Sequence, residues 1–315
     1  MTTDAFLDFY RQPGPFTTMG VSAAQVDDLP TDVGVLAKTV QNLLMHRFWS
    51  QAYKVEVPAE RDREQGIHSA EGTIACAMNL RQSALTATRS PEQRATGNCR
   101  NFSVVMTAFL RRKGIPARAR CGFSSYFEPG KYVDHWVAEY WNADQSRWIL
   151  VDAQLDELQC AIIKPDFDPL DVPRERFWVA GQAWQRTRPG DAGSFGADAV
   201  KYAAMNFGIA DMWGDWFIGG DLTLDMLALL GIEMLPWEPL VLGPERQLPV
   251  GDDLALLDRI ATMTVAADAE AVDELRRICA ADPRLTIPTS RIDDILQAEA
   301  AGDTSINPIS GAMSS

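Results

Sequence analysis

Cys99, His135 and Asp152 are the residues whose types and order could carry out covalent catalysis in this chain. A cysteine thiolate can attack a carbonyl carbon, a histidine can move the proton, and a carboxylate can orient the imidazole. Each residue alone has a simpler explanation as a buried thiol, a structural histidine or a turn former. Together they follow an order that a nucleophile helix and a hairpin can bring into one site, so we interpret them as a catalytic triad.

The element that must position Cys99 is a helix that starts with it. Apolar residues recur at the three-and-four spacing of one helix face, at Phe102, Val105, Met106, Phe109 and Leu110. Asn98 is placed to cap the N-terminus, and Gly114 followed by Pro116 predicts the end. The positive end of the helix dipole stabilises a thiolate in the first turn. The backbone N–H of Cys99 is the best candidate donor to an oxyanion, and no second donor can be assigned.

Three strands are predicted after this helix, over residues 117–123, 135–141 and 147–152. The polar turn at 142–145 joins the last two into a hairpin. Pairing Trp141 with Ser146 would place Asp152 directly opposite His135 on the same face of the sheet. A shift of one residue would send the two side chains to opposite faces, so the triad makes a specific demand on the register.

These pieces resemble the transglutaminase-like superfamily, a branch of the papain-like cysteine enzymes. The matching motifs are G-N-C at 97–99, R-x-x-G-I-P-A-R at 111–118, D-H-W-V at 134–137 and W-I-L-V-D ending at Asp152. In that family the corresponding Cys, His and Asp form the catalytic triad, so the resemblance gives those roles to Cys99, His135 and Asp152. One departure is Trp136, because family members often carry a small residue directly after the histidine.

The resemblance covers residues 97–152 and implies an α+β fold with a papain-like or transglutaminase-like core, in which the nucleophile helix packs on an antiparallel sheet. Helical patterns predict additions at both ends. We expect an N-terminal helical region over residues 1–65, the catalytic core over 66–190, a C-terminal helical region over 191–300 and a disordered tail over 301–315. Further helices are predicted over 33–53, 66–88, 173–185, 221–230, 254–260 and 269–280.

Residues 197–240 are rich in methionine and aromatic side chains, among them Trp213, Phe217, Met226 and Met234. Such residues are mostly interior in folded proteins, so we favour packing between helices. A substrate-lining role is the alternative, because methionine and aromatic surfaces suit apolar ligands.

Composition argues against several classes of partner. The formal net charge of −14 disfavours nucleic acid and anionic membranes. No apolar run reaches the length of a membrane span, and the first residues, MTTDAFLDFYRQPG, lack the pattern of a signal peptide. The five cysteines are odd in number and include no C-x-x-C pair, so we expect free thiols in a reducing cytoplasm.

No cofactor and no metal site is predicted, because the three histidines fit no metal-ligand spacing and no Gly-rich phosphate loop is present. Among the other cysteines, Cys121 follows the alternation of its strand and is assigned to the core. Cys76, Cys160 and Cys279 have no base nearby in sequence and are poorer nucleophile candidates. For His68, at the start of a predicted helix, a surface position is favoured over a role in the site.

The sequence therefore predicts a cytoplasmic cysteine enzyme that attacks an amide or ester carbonyl and forms a thioester, as an acyltransferase or as an amidase or protease. Its expected partner is a peptide-like or small amide substrate, and the choice between hydrolysis and acyl transfer and the oligomeric state are left open. The alternative is a catalytically silent binding module on the same fold that recognises a peptide or protein partner. A buried Cys99 or a triad out of register would favour that alternative.

Overall fold

The computed structural model of the chain describes residues 1–188, 202–203, 212–243, 246–247 and 249–302. The helices in these ranges are α1 (Thr3–Arg11), α2 (Ala23–Asp27), α3 (Val33–Leu43), α4 (Ala70–Leu80), α5 (Cys99–Arg112), α6 (Glu157–Ile163), α7 (Ala180–Thr187), α8 (Asp215–Leu229), α9 (Asp252–Ala266), α10 (Ala269–Ala281) and α11 (Thr289–Ala300). The strands are β1 (Leu44–His46), β2 (Ala95–Gly97), β3 (Ala117–Ser124), β4 (Tyr132–Asn142), β5 (Arg147–Val151), β6 (Phe177–Val179) and β7 (Tyr202–Ala203). This mixture of helix and sheet, with helices toward both ends of the chain, confirms the predicted α+β class.

The chain forms two compact units, each assembled from several stretches of sequence. The first unit consists of Met1–Phe9, Arg118–Trp136 and Val172–Thr286, and the second consists of Tyr10–Ala117, Val137–Asp171 and Ile287–Ser315. The division into consecutive regions at residues 65, 190 and 300 stays a prediction about domains. Most of the tail predicted to be disordered, residues 303–315, lies outside the described residues.

In the second unit, α5 has the bounds that its sequence predicts, from Cys99 to Arg112. It packs against α3 and α4, and every residue from Cys99 to Arg111 is buried. The apolar stripe predicted one buried face, whereas the structure encloses the helix on all sides. The start of α5 is therefore held inside the unit.

Helix α3 is shorter than its periodicity predicts, because it ends at Leu43 instead of continuing to residue 53. The next three residues form β1, which pairs in parallel with β2 and brings His46 opposite Gly97. The prediction of helix beyond Leu43 is wrong, since interstrand hydrogen bonds compete successfully with a weak local helical preference. Strand β2 ends two residues before Cys99, so this pairing fixes the chain that enters α5.

The β4–β5 hairpin has a different register from the predicted one. Trp141 pairs with Trp148 rather than with Ser146, a difference of two residues. The reason lies in the turn, where Ser146 adopts the left-handed backbone region with φ of 50° and donates its N–H to Ala143 O at 3.4 Å. The ladder consequently begins with the pair Asn142 and Arg147.

In the first unit, β3 pairs antiparallel with β6, and Phe123 lies opposite Trp178. The start of β4 pairs in parallel with β7 in the same unit. The helix predicted over 173–185 is wrong in its first half, because residues 177–179 form β6 and α7 begins only at Ala180. Aromatic and β-branched side chains in this stretch suit a strand as well as a helix, so the pairing with β3 decides.

Helices α7, α8 and α9 pack against one another in the first unit. The sequence predicts a turn at Gly219 and Gly220 and a helix from residue 221, but α8 runs through both glycines from Asp215 to Leu229. A Cβ placed on Gly219 would lie 3.2 Å from Cζ3 of Trp184 on α7. The missing side chain thus lets the two helices approach closely, which explains a glycine inside a helix. The helices predicted over 254–260 and 269–280 are confirmed as parts of α9 and α10.

The methionine- and aromatic-rich stretch is largely a packing element where it is described. Phe217, Met226 and Met234 are buried, which agrees with the packing interpretation. Trp213 is the exception, with 46% of its surface exposed. Most of residues 197–211 lie outside the described part of the chain.

Candidate active site

Cys99 occupies the first position of α5, directly after a capping residue. The Asn98 backbone is extended, with φ of −118°, and its side-chain oxygen accepts the Asn101 N–H at 3.2 Å. The Asn101 side-chain oxygen accepts the Asn98 N–H at 2.9 Å, which completes a reciprocal capping box. The sequence predicts the cap, but not the returning bond from Asn101. Cys99 itself is buried, with 7% of its surface exposed.

Arg100 places a guanidinium group next to the candidate nucleophile in the chain. It is fully buried, and its Nη1 donates to the carbonyl oxygens of Ile67 at 3.2 Å and His68 at 2.6 Å. Its guanidinium carbon also lies 5.6 Å from the centre of the Phe16 ring. The amphipathic pattern of α5 gives no signal that this arginine is interior.

His135 lies in β4 and is 2% exposed. Three aromatic rings approach its imidazole edge-on, with centroid distances of 4.9 Å for Phe127, 6.0 Å for Tyr126 and 6.3 Å for Phe177. These rings restrict rotation of the imidazole and replace water around it. Sequence reasoning missed Tyr126 and Phe127, which lie between β3 and β4.

Trp136, the residue at which the chain departs from the family pattern, is buried within β4. Successive side chains of a strand point to opposite faces, so the indole lies on the face opposite His135. The departure therefore does not put a large ring on the face of β4 that carries His135.

Asp152 follows the last residue of β5 and is 1% exposed. Its N–H donates to Pro169 O at 2.8 Å, and its Oδ1 accepts the N–H of Gln154 at 3.0 Å, as in an Asx-turn. The backbone and one carboxylate oxygen are therefore fixed by nearby residues.

The observed register of the β4–β5 hairpin decides whether Asp152 can lie opposite His135, as the predicted triad requires. Ala138 pairs with Val151, so continuing the ladder by one step would set Asp152 against Val137 and not against His135. The expected direct opposition of Asp152 and His135 is wrong. Because the shift is by an even number of residues, the parity that puts both side chains on one face is unchanged. The catalytic roles of Cys99, His135 and Asp152 stay predictions.

The remaining cysteines differ from Cys99 in their surroundings. Burial raises the pKa of Cys76 to about 12 and that of Cys279 to about 11. Burial also raises the pKa of Cys160, reinforced by the charge of Asp152. Cys121 is fully buried in β3, as its alternation predicts. Thiols with raised pKa are poor nucleophiles at neutral pH, which agrees with the low ranking of Cys76, Cys160 and Cys279.

His68 is buried, with 2% exposure, so the favoured surface position is wrong. Its ring lies 5.3 Å from that of Phe16, and its Nδ1 lies 3.4 Å from Oε1 of Glu299 on α11. The Glu299 carboxylate also accepts the N–H of His68 at 2.5 Å and the hydroxyl of Ser69 at 2.5 Å. A partner 231 positions away in sequence leaves no local signal, which is why the sequence missed it.

These contacts predict a pH-dependent contribution to stability. Burial raises the pKa of Glu299, but hydrogen bonds from His68 and Ser69 outweigh it and hold the pKa below its ordinary value. A lowered folded-state pKa adds stability above the unfolded pKa, and this stability is lost as the pH falls through the folded value. The difference in unfolding free energy between the wild type and Glu299→Gln should therefore shrink as the pH falls below the ordinary glutamate pKa of about 4.3, measured by urea titration. A difference that stays constant as the pH falls would contradict the ionised Glu299.

A cavity of about 380 Å³ in the second unit contains none of the candidate triad. Its charged residues largely pair with one another, since Lys38 binds Glu157 at 2.9 Å and Arg94 binds Asp156 at 3.3 Å. The Tyr53 hydroxyl donates to the same Asp156 carboxylate at 2.7 Å. We therefore do not assign the cavity to the site.

Two further properties concern the described residues only. Within them, no three His, Cys, Asp or Glu side chains lie together in a way that could hold a metal ion. Over the same ranges, no helix combines the length and apolar character needed to cross a membrane.

Comparison with known proteins gives one family match and one match to a solved structure. Residues 63–153 match the family described as the transglutaminase-like superfamily, which confirms the resemblance seen in the motifs and extends it upstream. A solved structure described as a "Putative Cysteine Protease from Cytophaga hutchinsonii" is 16% identical, with a TM-score of 0.32 over 49% of this chain. The aligned part spans only 43% of that structure's length. No curated protein matches the chain.

Proposed function

We propose that this chain, whose residues 63–153 match the transglutaminase-like superfamily, is a cysteine enzyme that uses Cys99 as its nucleophile. The observation that carries the proposal is the capped start of α5 inside the matched segment, with Cys99 at the first position of the helix. Such a position favours the thiolate and offers hydrogen bonds to an oxyanion. His135 and Asp152 take the roles of base and orienting acid.

The reaction proceeds in two halves. His135 takes the thiol proton while the Cys99 sulfur forms a bond to the carbonyl carbon of an amide or ester. The tetrahedral oxyanion is held by the backbone N–H of Cys99, and it collapses as the C–N or C–O bond breaks. His135 returns its proton to the leaving amine or alcohol, and the acyl group stays on Cys99 as a thioester.

The second half decides between two activities. If His135 deprotonates water, attack on the thioester releases a carboxylic acid and regenerates the thiol, and the enzyme is an amidase or protease. If it deprotonates an amine, a new amide forms, and the enzyme is an acyltransferase. A peptide-like or small amide substrate fits both outcomes.

The proposal predicts that Cys99 reacts with iodoacetamide faster than the other cysteines in the native protein. At about pH 7 we expect its rate to exceed those of Cys76, Cys160 and Cys279 by at least about tenfold, because burial keeps those thiols protonated. Peptide mass analysis after timed labelling gives the rate at each cysteine, and Cys99→Ser should abolish the fast phase.

A second measurement on the same protein distinguishes hydrolysis from acyl transfer. An activated aryl ester should leave its acyl group on Cys99, visible as a mass increase. In a hydrolase this adduct decays in water alone. In an acyltransferase it decays faster after an amine is added than in water alone. Equal labelling rates at all cysteines, together with the absence of an acyl adduct, would contradict the proposed enzymatic function. The protein would then be a folded chain without a reactive thiol.

A binding module that recognises a peptide or protein is the second candidate function. Two observations favour it: Cys99 is only 7% exposed, and the hairpin register does not set Asp152 directly opposite His135. In that case Cys99 would label only after unfolding, and the Cys99→Ser protein would bind its partner as well as the wild type.

A further inference from the structure

The stretch of residues 65–69, here called the 65–69 loop, runs beside the start of α5. Three residues around Cys99 donate side-chain hydrogen bonds to its carbonyl oxygens. Asn98 Nδ2 reaches Gln65 O at 3.4 Å, Asn101 Nδ2 reaches Ile67 O at 2.8 Å, and Arg100 Nη1 reaches His68 O at 2.6 Å. The loop therefore serves as a template for the helix start.

The N–H groups of His68 and Ser69 in the same loop bind a different element, the C-terminal helix α11. Its Glu299 carboxylate accepts the N–H of His68 at 2.5 Å, and the N–H and hydroxyl of Ser69 at 3.2 and 2.5 Å. The Glu299 side chain is 8% exposed, so water does not compete freely for these bonds. All of these residues belong to the second unit.

The two sets of bonds meet on one residue. The N–H of His68 binds Glu299, while its carbonyl oxygen binds Arg100. Ser69 adds a second link, because its oxygen accepts the Gly72 N–H at 3.0 Å as the N-cap of α4 while its hydroxyl donates to Glu299. Without the Glu299 carboxylate, the N–H groups of His68 and Ser69 would lose their acceptor. The carbonyl oxygens of the 65–69 loop would then no longer be held in position.

The Asn101 amide transmits this position to Cys99. Its nitrogen donates to Ile67 O, so its oxygen faces the Asn98 N–H and closes the capping box. A displaced Ile67 carbonyl would leave the amide without the contact that selects this orientation. The first-turn N–H groups that favour the Cys99 thiolate would then be less well ordered.

We propose that Glu299 is a positioning residue for Cys99, acting through the 65–69 loop, and that α11 is the clasp that holds the nucleophile end of α5 in its reactive geometry. The inference rests on the proposed function in one respect, namely that Cys99 is the nucleophile. It assigns a role in the site to α11, a helix that lies well beyond the family-matched residues 63–153 in the sequence.

The test compares Glu299→Ala and Glu299→Gln with the control Asp294→Asn, which makes the same carboxylate-to-amide change at an exposed position of α11. Glu299→Ala should slow iodoacetamide labelling of Cys99 at about pH 7 by roughly five- to tenfold, the scale of a lost helix cap. The pH profile of labelling should shift upward, since the thiolate is less favoured. Glu299→Gln keeps one acceptor and should recover part of the rate, and Asp294→Asn should match the wild type.

A second variant, Gly72→Ala on α4, disturbs the same contacts without changing Glu299. A Cβ on Gly72 would lie 3.1 Å from Glu299 Oε2 and 2.9 Å from both Ser69 Oγ and Ile67 Cγ2, so Gly72→Ala should displace the carboxylate and the loop. Alanine normally stabilises a helix relative to glycine, so a loss of reactivity in this variant would come from the displaced contacts. Gly220→Ala in α8 is the control, because the nearest atom to its Cβ is at an ordinary 3.4 Å. We expect slower Cys99 labelling in Gly72→Ala only.

Hydrogen exchange of the 65–69 amides separates the possible outcomes. Faster exchange in Glu299→Ala and Gly72→Ala, together with the shifted labelling profile, supports the clasp. A folded Glu299→Ala protein with wild-type labelling rate and pH profile overturns it, even if the loop exchanges faster. A wild-type Cys99 that labels no faster than the other cysteines overturns the proposed function instead, and that result is visible before any variant is made.

Discussion

His135→Ala is expected to slow the reaction of Cys99 with iodoacetamide by about 10²-fold at neutral pH, the usual scale of a lost proton-transfer group. The imidazole takes the thiol proton in the proposed reaction, and no other base is assigned to that step. His135 is 2% exposed and surrounded by the rings of Tyr126, Phe127 and Phe177, so bulk water replaces it poorly. The rate at Cys99 is measured by timed alkylation and peptide mass analysis, with the fold checked by circular dichroism.

Asp152→Asn should give a smaller slowing, because it disturbs the orientation of the imidazole rather than removing it. Asp134→Asn is the matched control, since it changes a carboxylate to an amide on the opposite face of the strand that carries His135. A folded His135→Ala protein whose Cys99 labels at the wild-type rate would contradict the proposed triad and favour the binding module.

Local sequence predicts the nucleophile helix well because every signal that defines it lies within a few residues of its ends. The cap at Asn98, the apolar spacing and the stop at Gly114 agree with one another, and the structure gives α5 the bounds Cys99–Arg112. When local preferences agree, tertiary packing has nothing to overrule.

The hairpin register shows where local reasoning stops. Its two strands are correctly placed in sequence, but the pairing depends on whether Ser146 belongs to the turn or to the ladder. A non-glycine residue at φ of 50° is uncommon, so nothing in the local sequence predicts it at Ser146. The even shift of two residues nevertheless preserves the side of the strand on which the predicted acid and base lie.

Contacts between distant positions could not be predicted, since they depend on the assembled fold. Glu299 and His68 are 231 positions apart, and Arg120 and Asp225 are 105 apart. In both cases a charged residue in a strand or helix pattern is expected to face solvent, and it is instead interior with a partner. The alternation of β3 predicted Arg120 on the polar face, yet all eight residues of the strand are buried.

The buried pair of Arg120 and Asp225 makes the largest stability prediction. The side chains are 2% and 0% exposed, and Arg120 Nε and Nη2 bind the two carboxylate oxygens at 2.9 Å each. Arg120 also donates to Thr264 O at 2.8 Å, and the Cys121 N–H donates to Asp225 Oδ1 at 3.0 Å. Breaking such a pair leaves a buried charge without its counterion, so Asp225→Asn should cost about 3–5 kcal/mol of unfolding free energy in urea titrations.

The neighbouring carboxyl group on α8 provides the control. Burial raises the pKa of Asp221 well above its ordinary value, and the charges of Asp134 and Asp225 add to the effect. Burial and these neighbouring charges favour the neutral form of Asp221. Asp221→Asn should therefore cost less than Asp225→Asn, about 1 kcal/mol or less. The double variant Arg120→Met with Asp225→Leu should lose less than the sum of its single variants, because neither charge is left alone. Equal losses for Asp221→Asn and Asp225→Asn would mean that the negative charge is not confined to Asp225, and strict additivity in the double variant would mean that the two side chains stabilise the unit independently.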